Sequence, residues 1–132
     1  MIGIVIVAHG GLAREYLAAV EHVVGAQPGV VAVSIEAVHD RRTKQAEICT
    51  AADDVDTGDG VVVVTDLYGG SPSNLSLLAC QPENRRILYG MNLPMLIKLA
   101  KSRQMPVPDA VKGALEAGRK YIDSINVKPD PL

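Results

Sequence analysis

Ile2-Gly3-Ile4-Val5-Ile6-Val7-Ala8-His9-Gly10-Gly11 is apolar at nearly every position until a single histidine followed by two glycines. Ile2 to Ala8 is rich in β-branched residues, the pattern of a strand covered on both faces. A second run, Val61-Val62-Val63-Val64-Thr65, leads into Asp66-Leu67-Tyr68-Gly69-Gly70-Ser71-Pro72-Ser73-Asn74. The segments around these two strands set the architecture. Leu12 to Val24 reads as a helix with Leu12, Tyr16, Val20, Val23 and Val24 on its apolar face, closed by Gln27-Pro28-Gly29. Val30 to Val38 alternates as a strand with one wetter face. Asp40 to Asp54 is a weaker helix that opens on a capping aspartate.

After the glycine pair, Ser71 is expected to cap a helix with Pro72 in its first position, running through Leu75, Leu77 and Leu78. Ile87 to Tyr89 reads as a fourth strand and Leu93 to Ser102 as a helix. A last helix spans about Asp109 to Ile125, with Val111, Leu115, Gly118, Ile122 and Ile125 along one stripe. The order β-α-β-α-β-α-β-α-α predicts an α/β fold in three layers, an open, mostly parallel sheet of order 2-1-3-4 with helices on both faces. Residues 1–125 form one domain, and 126–132 are expected to be a flexible tail. In that strand order the first and third strands are neighbours whose helices leave toward opposite faces. Their carboxyl ends then open a crevice holding His9 and Asp66.

Composition narrows the function classes. The chain has 132 residues, 48% hydrophobic and 21% charged, enough for one core that must be aliphatic because its only aromatics are four tyrosines. A net charge of −2 without a basic block gives no footprint for nucleic acid or anionic lipid. Met1-Ile2-Gly3 leads into a strand without a preceding positive charge, a poor signal peptide, and no apolar stretch approaches membrane-spanning length. Cys49 and Cys80, far apart in sequence, fit reduced, buried thiols, and the chain is expected to be cytoplasmic. Three scattered histidines and two scattered cysteines give no zinc-ligand spacing, and no metal is expected. Neither G-x-x-x-x-G-K-[ST] nor G-x-G-x-x-G after the first strand is present, nor a G-x-S-x-G elbow, so no cofactor is expected. His39 beside Asp40-Arg41-Arg42 reads as a solvated loop residue, and His22 falls on a polar helix face.

His9 and Asp66 carry the chemistry. A carboxylate on one ring nitrogen would fix the tautomer and leave the other nitrogen as a nucleophile, which suits a phosphoryl-accepting histidine. Gly69 and Gly70 permit close backbone approach, and Ser71 opens a helix whose free N–H groups favour an anion. Each feature has an ordinary counterpart: a backbone-bonded histidine, a strand-end carboxylate, a tight turn with a serine cap.

Val7-Ala8-His9-Gly10, Asp66 to Asn74 and Gly90-Met91-Asn92-Leu93-Pro94-Met95-Leu96 together resemble the signature segments of the enzyme IIA component of mannose-family sugar phosphotransferase systems. The resemblance runs in order and spacing from Met1 to about Ile125. It implies that His9 accepts a phosphoryl group from the phosphocarrier HPr and passes it to a IIB component. It also implies that Asp66 orients His9 and that Ser71, with the backbone N–H groups of Gly69 and Gly70, receives phosphoryl oxygens. Tyr68, Met91 and Asn92 would line the rim that docks partners. Many members carry tryptophan where Tyr68 stands, so docking is expected to differ in detail. The family forms dimers, which implies a homodimer involving the C-terminal segment. The acceptor is a separate IIB subunit or, alternatively, phosphorylation of His9 gates binding to a regulatory target.

Overall fold

The computed structural model describes residues 1–128. Its sheet has four parallel strands in the order β2-β1-β3-β4, formed by β1 (Gly3–His9), β2 (Val30–Ile35), β3 (Val61–Thr65) and β4 (Arg85–Leu88). The helices are α1 (Leu12–Val24), α2 (Arg41–Val55), α3 (Ser71–Leu75), α4 (Leu93–Lys101) and α5 (Val107–Lys120), with a 3₁₀ turn at Leu78–Cys80. The expected α/β architecture and strand order are those observed.

The central strands lack polar alternation because both of their faces are covered. Ile4, Ile6 and Ala8 of β1 and Val62 and Val64 of β3 pack in one core with residues of α1, α4 and α5. Val5, Val7, Val61 and Val63 face the other way, into a core with Ile48, Ala52 and Val55 of α2 and Leu75 of α3. Each such valine, isoleucine or leucine side chain, fully withdrawn from water, contributes on the order of 1.5–3 kcal/mol before chain entropy is counted. The helix leaving β1 therefore lies on one face and the helix leaving β3 on the other.

Several boundaries differ from the sequence reading, each for a local reason. β2 stops at Ile35, and the chain leaves the sheet edge with Val38 93% exposed. In α1 the inward stripe is buried Ala13 and Val20 with half-buried Tyr16, Leu17 and Val24, on one side of a 3.6-residue repeat; Leu12 and Val23 are exposed. α3 ends at Leu75, where the Ser76 hydroxyl donates to the Pro72 carbonyl at 2.6 Å, and Leu77 and Leu78 are exposed. β4 starts two residues early, at Arg85, whose buried guanidinium donates to Asp53, Asp56 and the Ala79 carbonyl. α5 starts at Val107 and ends at Lys120, with the Asn92 side-chain amide donating at 2.7 Å to the carbonyl of Gly118. Ile122 and Ile125, expected on its stripe, lie beyond the helix and are exposed. Cys49 and Cys80 are free thiols, half-buried rather than fully buried. Residues 129–132 of the expected tail lie outside the described residues.

Candidate functional site

The site lies at the carboxyl edge of the two central strands. β1 runs past β3: the last registered pair is Val7 with Thr65, and β1 continues two residues to His9. Gly10 then turns the chain with φ of +55°, a conformation that a side chain would strain. Asp66 is the first residue after β3, which brings its carboxylate beside the end of β1.

Asp66 Oδ2 accepts from the His9 ring at Nδ1, 2.7 Å away, and from the His9 backbone N–H at 3.0 Å. Its Oδ1 accepts from the Leu67 backbone N–H at 3.1 Å. Burial works against ionisation of Asp66, but the hydrogen bonds from the His9 backbone and ring outweigh it and hold the carboxyl below its ordinary value. An ionised carboxylate only accepts, so Nδ1 carries the ring proton and Nε2 is left with its lone pair. The His9 side chain is 48% exposed while that of Asp66 is 11% exposed. The carboxylate is thus sheltered behind the ring, and the nucleophilic nitrogen belongs to the accessible partner.

The glycine-rich turn completes the arrangement. Gly69 has φ of +81°. Gly70 lies so close to the imidazole that a Cβ there would stand 3.2 Å from His9 Cε1. Gly70, rather than Ser71, is the N-cap of α3; Ser71 opens the helix and lines one open cavity of about 390 Å³ with His9, Gly10, Ile35, Glu36, Ala37 and His39. Ser73, which the sequence reading passed over, holds this turn. Its hydroxyl accepts from the Gly69 N–H at 3.1 Å and donates to the Gly70 carbonyl at 3.2 Å. A serine two residues inside a proline-started helix was the available signal.

The expected rim residues separate. Tyr68 is 77% exposed, and its ring meets that of Tyr89 edge to face at 5.0 Å between centroids. Met91 is placed in the core, 6% exposed, and not at the rim. Asn92 caps α4 by accepting from the Met95 N–H at 3.0 Å while donating to the Gly118 carbonyl, so its side chain is committed to structure. His39 departs from the sequence reading in the opposite direction: it is half-buried and lines the His9 cavity, its Nδ1 2.8 Å from the Glu36 carbonyl. Among the described residues no three His, Cys, Asp or Glu side chains converge as a metal-ligand set.

Comparison with known proteins follows the same lines. Residues 3–116 match the family model described as the PTS system fructose IIA component. The PTS system mannose-specific EIIAB component of Escherichia coli (strain K12) is 29% identical over 131 residues; the alignment covers 97% of this chain and 41% of that protein. This chain therefore spans well under half of that relative's length. The phosphotransferase system component EIIA from Streptococcus agalactiae superposes with a TM-score of 0.84 at 29% identity, covering 94% of this chain and 97% of its own. The mannose/sorbose specific IIA subunit from Enterococcus faecalis superposes with a TM-score of 0.85 at 25% identity, over 98% of each chain.

Proposed function

This chain belongs to the mannose-type IIA components of the phosphotransferase system, and we propose that it is a phosphocarrier whose His9 takes a phosphoryl group from phospho-HPr and gives it to a IIB component. The observation that carries the reading is the 2.7 Å contact between His9 Nδ1 and Asp66 Oδ2, which leaves Nε2 as the reacting nitrogen. In the forward step the Nε2 lone pair attacks phosphorus. A new Nε2–P bond forms as the N–P bond of the donor phosphohistidine breaks, and that bond's electron pair returns to the donor imidazole. The His9 ring becomes cationic as the bond forms, and the Asp66 carboxylate beside Nδ1–H stabilises that charge. The backbone N–H of Gly70 and the hydroxyl of Ser71 receive phosphoryl oxygens in this scheme, while the Gly69 N–H, given to the Ser73 hydroxyl, holds the turn in place. Transfer to the acceptor runs the same exchange in reverse.

Tyr68, exposed and braced by Tyr89, is our candidate anchor for the docked partner. A homodimer is supported by the apolar side chains exposed after α5, among them Tyr121, Ile122 and Ile125. No helix of the described residues is long and apolar enough to cross a membrane. The protein would work where HPr works, in the cytoplasm. Incubation with enzyme I, HPr and phosphoenolpyruvate, read by intact mass, tests the proposal. One acid-labile phosphoryl group on the wild type and none on a folded His9→Ala variant is expected; equal uptake by both would overturn it.

A further inference from the structure

Building on the phosphocarrier reading, we propose that His39 is a second phosphoryl-contacting residue, receiving oxygens of the group carried on His9 through its Nε2. The loop after β2 turns Val38 out, 93% exposed, and turns His39 in, half-buried in the wall of the His9 cavity. The ring is anchored: Nδ1 lies 2.8 Å from the carbonyl oxygen of Glu36, which can only accept, so Nδ1 carries a proton. Nε2 is the ring's remaining polar atom. Ser71 lines the same cavity, so a phosphoryl group on His9 Nε2 would enter a space walled by a hydroxyl and a second imidazole.

This anchoring makes the contact depend on a proton. With Nδ1–H committed to Glu36, a neutral His39 presents a lone pair at Nε2, which repels a phosphoryl oxygen. The imidazolium presents N–H and donates a charge-assisted hydrogen bond. The arriving group, with about −1.5 to −2 charges, draws that proton from solvent. His39 forms and breaks no bond to phosphorus, and the transfer between His9 and its donor balances as written above. The other charged and titratable groups around His39 are Glu36, Asp40, Arg41 and Arg42 on its own segment, with His9 in the same cavity wall and Asp66 bonded to the His9 ring. Asp40 is occupied by the Thr43 N–H and hydroxyl. Glu36 lines the cavity, and Arg41 and Arg42 open α2.

The test compares second-order phosphorylation rate constants of wild type, His39→Ala and His39→Gln by phospho-HPr between pH 6 and 8.5. Taking the ratio of wild type to variant cancels titration of His9 and of the donor. The ratio for His39→Ala should be roughly tenfold at pH 6 and shrink toward unity by pH 8.5, the effect of one hydrogen bond to a charged group. His39→Gln, whose amide donates at any pH, should recover part of the rate at pH 6 and should not fall behind wild type at pH 8.5. In parallel, inorganic phosphate is titrated into the unphosphorylated full chain while ¹⁵N shifts of both imidazoles are recorded. Phosphate should move His39 as well as His9, and weaken about tenfold in His39→Ala. A pH-independent ratio near one, with His39 unmoved by phosphate, overturns the proposal and leaves the phosphocarrier reading intact. Failure of phospho-HPr to label the wild type, with phosphate still moving His39, would instead overturn the phosphocarrier reading and keep His39 as an anion contact.

Discussion

Replacing Asp66 by Asn keeps the shape of the side chain and removes its charge, which isolates what the carboxylate does for His9. In the structure Asp66 Oδ2 receives two donors from one residue, the ring at 2.7 Å and the backbone at 3.0 Å. The backbone bond can survive in the amide, since Oδ1 of asparagine still accepts. The ring bond loses its ionic character just as the imidazole turns cationic in the transition state. A hydrogen bond to a charged group contributes roughly 1.5–3 kcal/mol, and about 1.4 kcal/mol is tenfold in rate, so transfer should slow roughly 10- to 150-fold. The partial exposure of His9 argues for the lower half of that range, because water screens the pair. An amide can also flip to offer NH₂ to Nδ1, placing the ring proton on Nε2 and removing the nucleophile, so Asp66→Asn should be at least as slow as Asp66→Ala. Stopped-flow or quench-flow measurement of phosphoryl transfer, with urea unfolding as the control for the fold, checks this. A folded Asp66→Asn protein that transfers within twofold of wild type would refute the role given to the carboxylate.

The glycine turn and the thiols give two further expectations. Gly70 has φ of −83° and ψ of 173°, which alanine adopts without strain, yet its Cβ would press on His9 Cε1 at 3.2 Å. Gly70→Ala should therefore leave the urea midpoint nearly unchanged and slow phosphorylation about tenfold by displacing the ring, an order set by the tolerance of transfer to sub-ångström misplacement; an unaltered rate would show that the ring is not confined there. Burial pushes the Cys80 thiol from 9.0 up to about 11, so at pH 8 its thiolate fraction falls about 100-fold and iodoacetamide should label it that much more slowly in the native protein than in urea. The folded state holds this proton more tightly than the unfolded chain, so Cys80 makes stability fall as pH climbs from 9 toward 11. Equal labelling rates in native and unfolded protein would contradict that environment.

The sheet was legible in the sequence because its central strands are apolar on both faces, which a parallel sheet covered by helices on both sides hides together. The pairing of His9 with Asp66 followed from topology alone, since each residue ends one of two adjacent strands. What stayed hidden depends on where individual side chains turn. Arg85 is charged and reads as loop, but it begins β4 because Asp53 and Asp56 come from distant sequence positions, alongside the nearby Ala79 carbonyl, to receive it. Met91 and Asn92 sit in a signature-like segment, yet the loop sends the first into the core and uses the second to join two helices. His39 shows no periodicity or spacing that separates it from its exposed neighbours. Its position follows from β2 ending at Ile35 and from one bond to the carbonyl of Glu36.

These placements divide labour between the rigid and the exposed parts of the site. His9 ends a strand whose preceding residues are wholly buried and which is bonded on both sides, to β2 and β3. The ring's partner, Asp66, leaves the adjacent strand directly, so the distance between imidazole and carboxylate is fixed by sheet register rather than by a loop. Groups that would meet the phosphoryl oxygens, Ser71 and His39, come from two separate segments, the start of α3 and the loop before α2, each held by its own local bonds. A carrier must bind its cargo well enough to accept it and weakly enough to release it. In the proposed carrier, strand pairing would fix His9 while the oxygen contacts would come from separately anchored loops, so those two demands could be set by different residues.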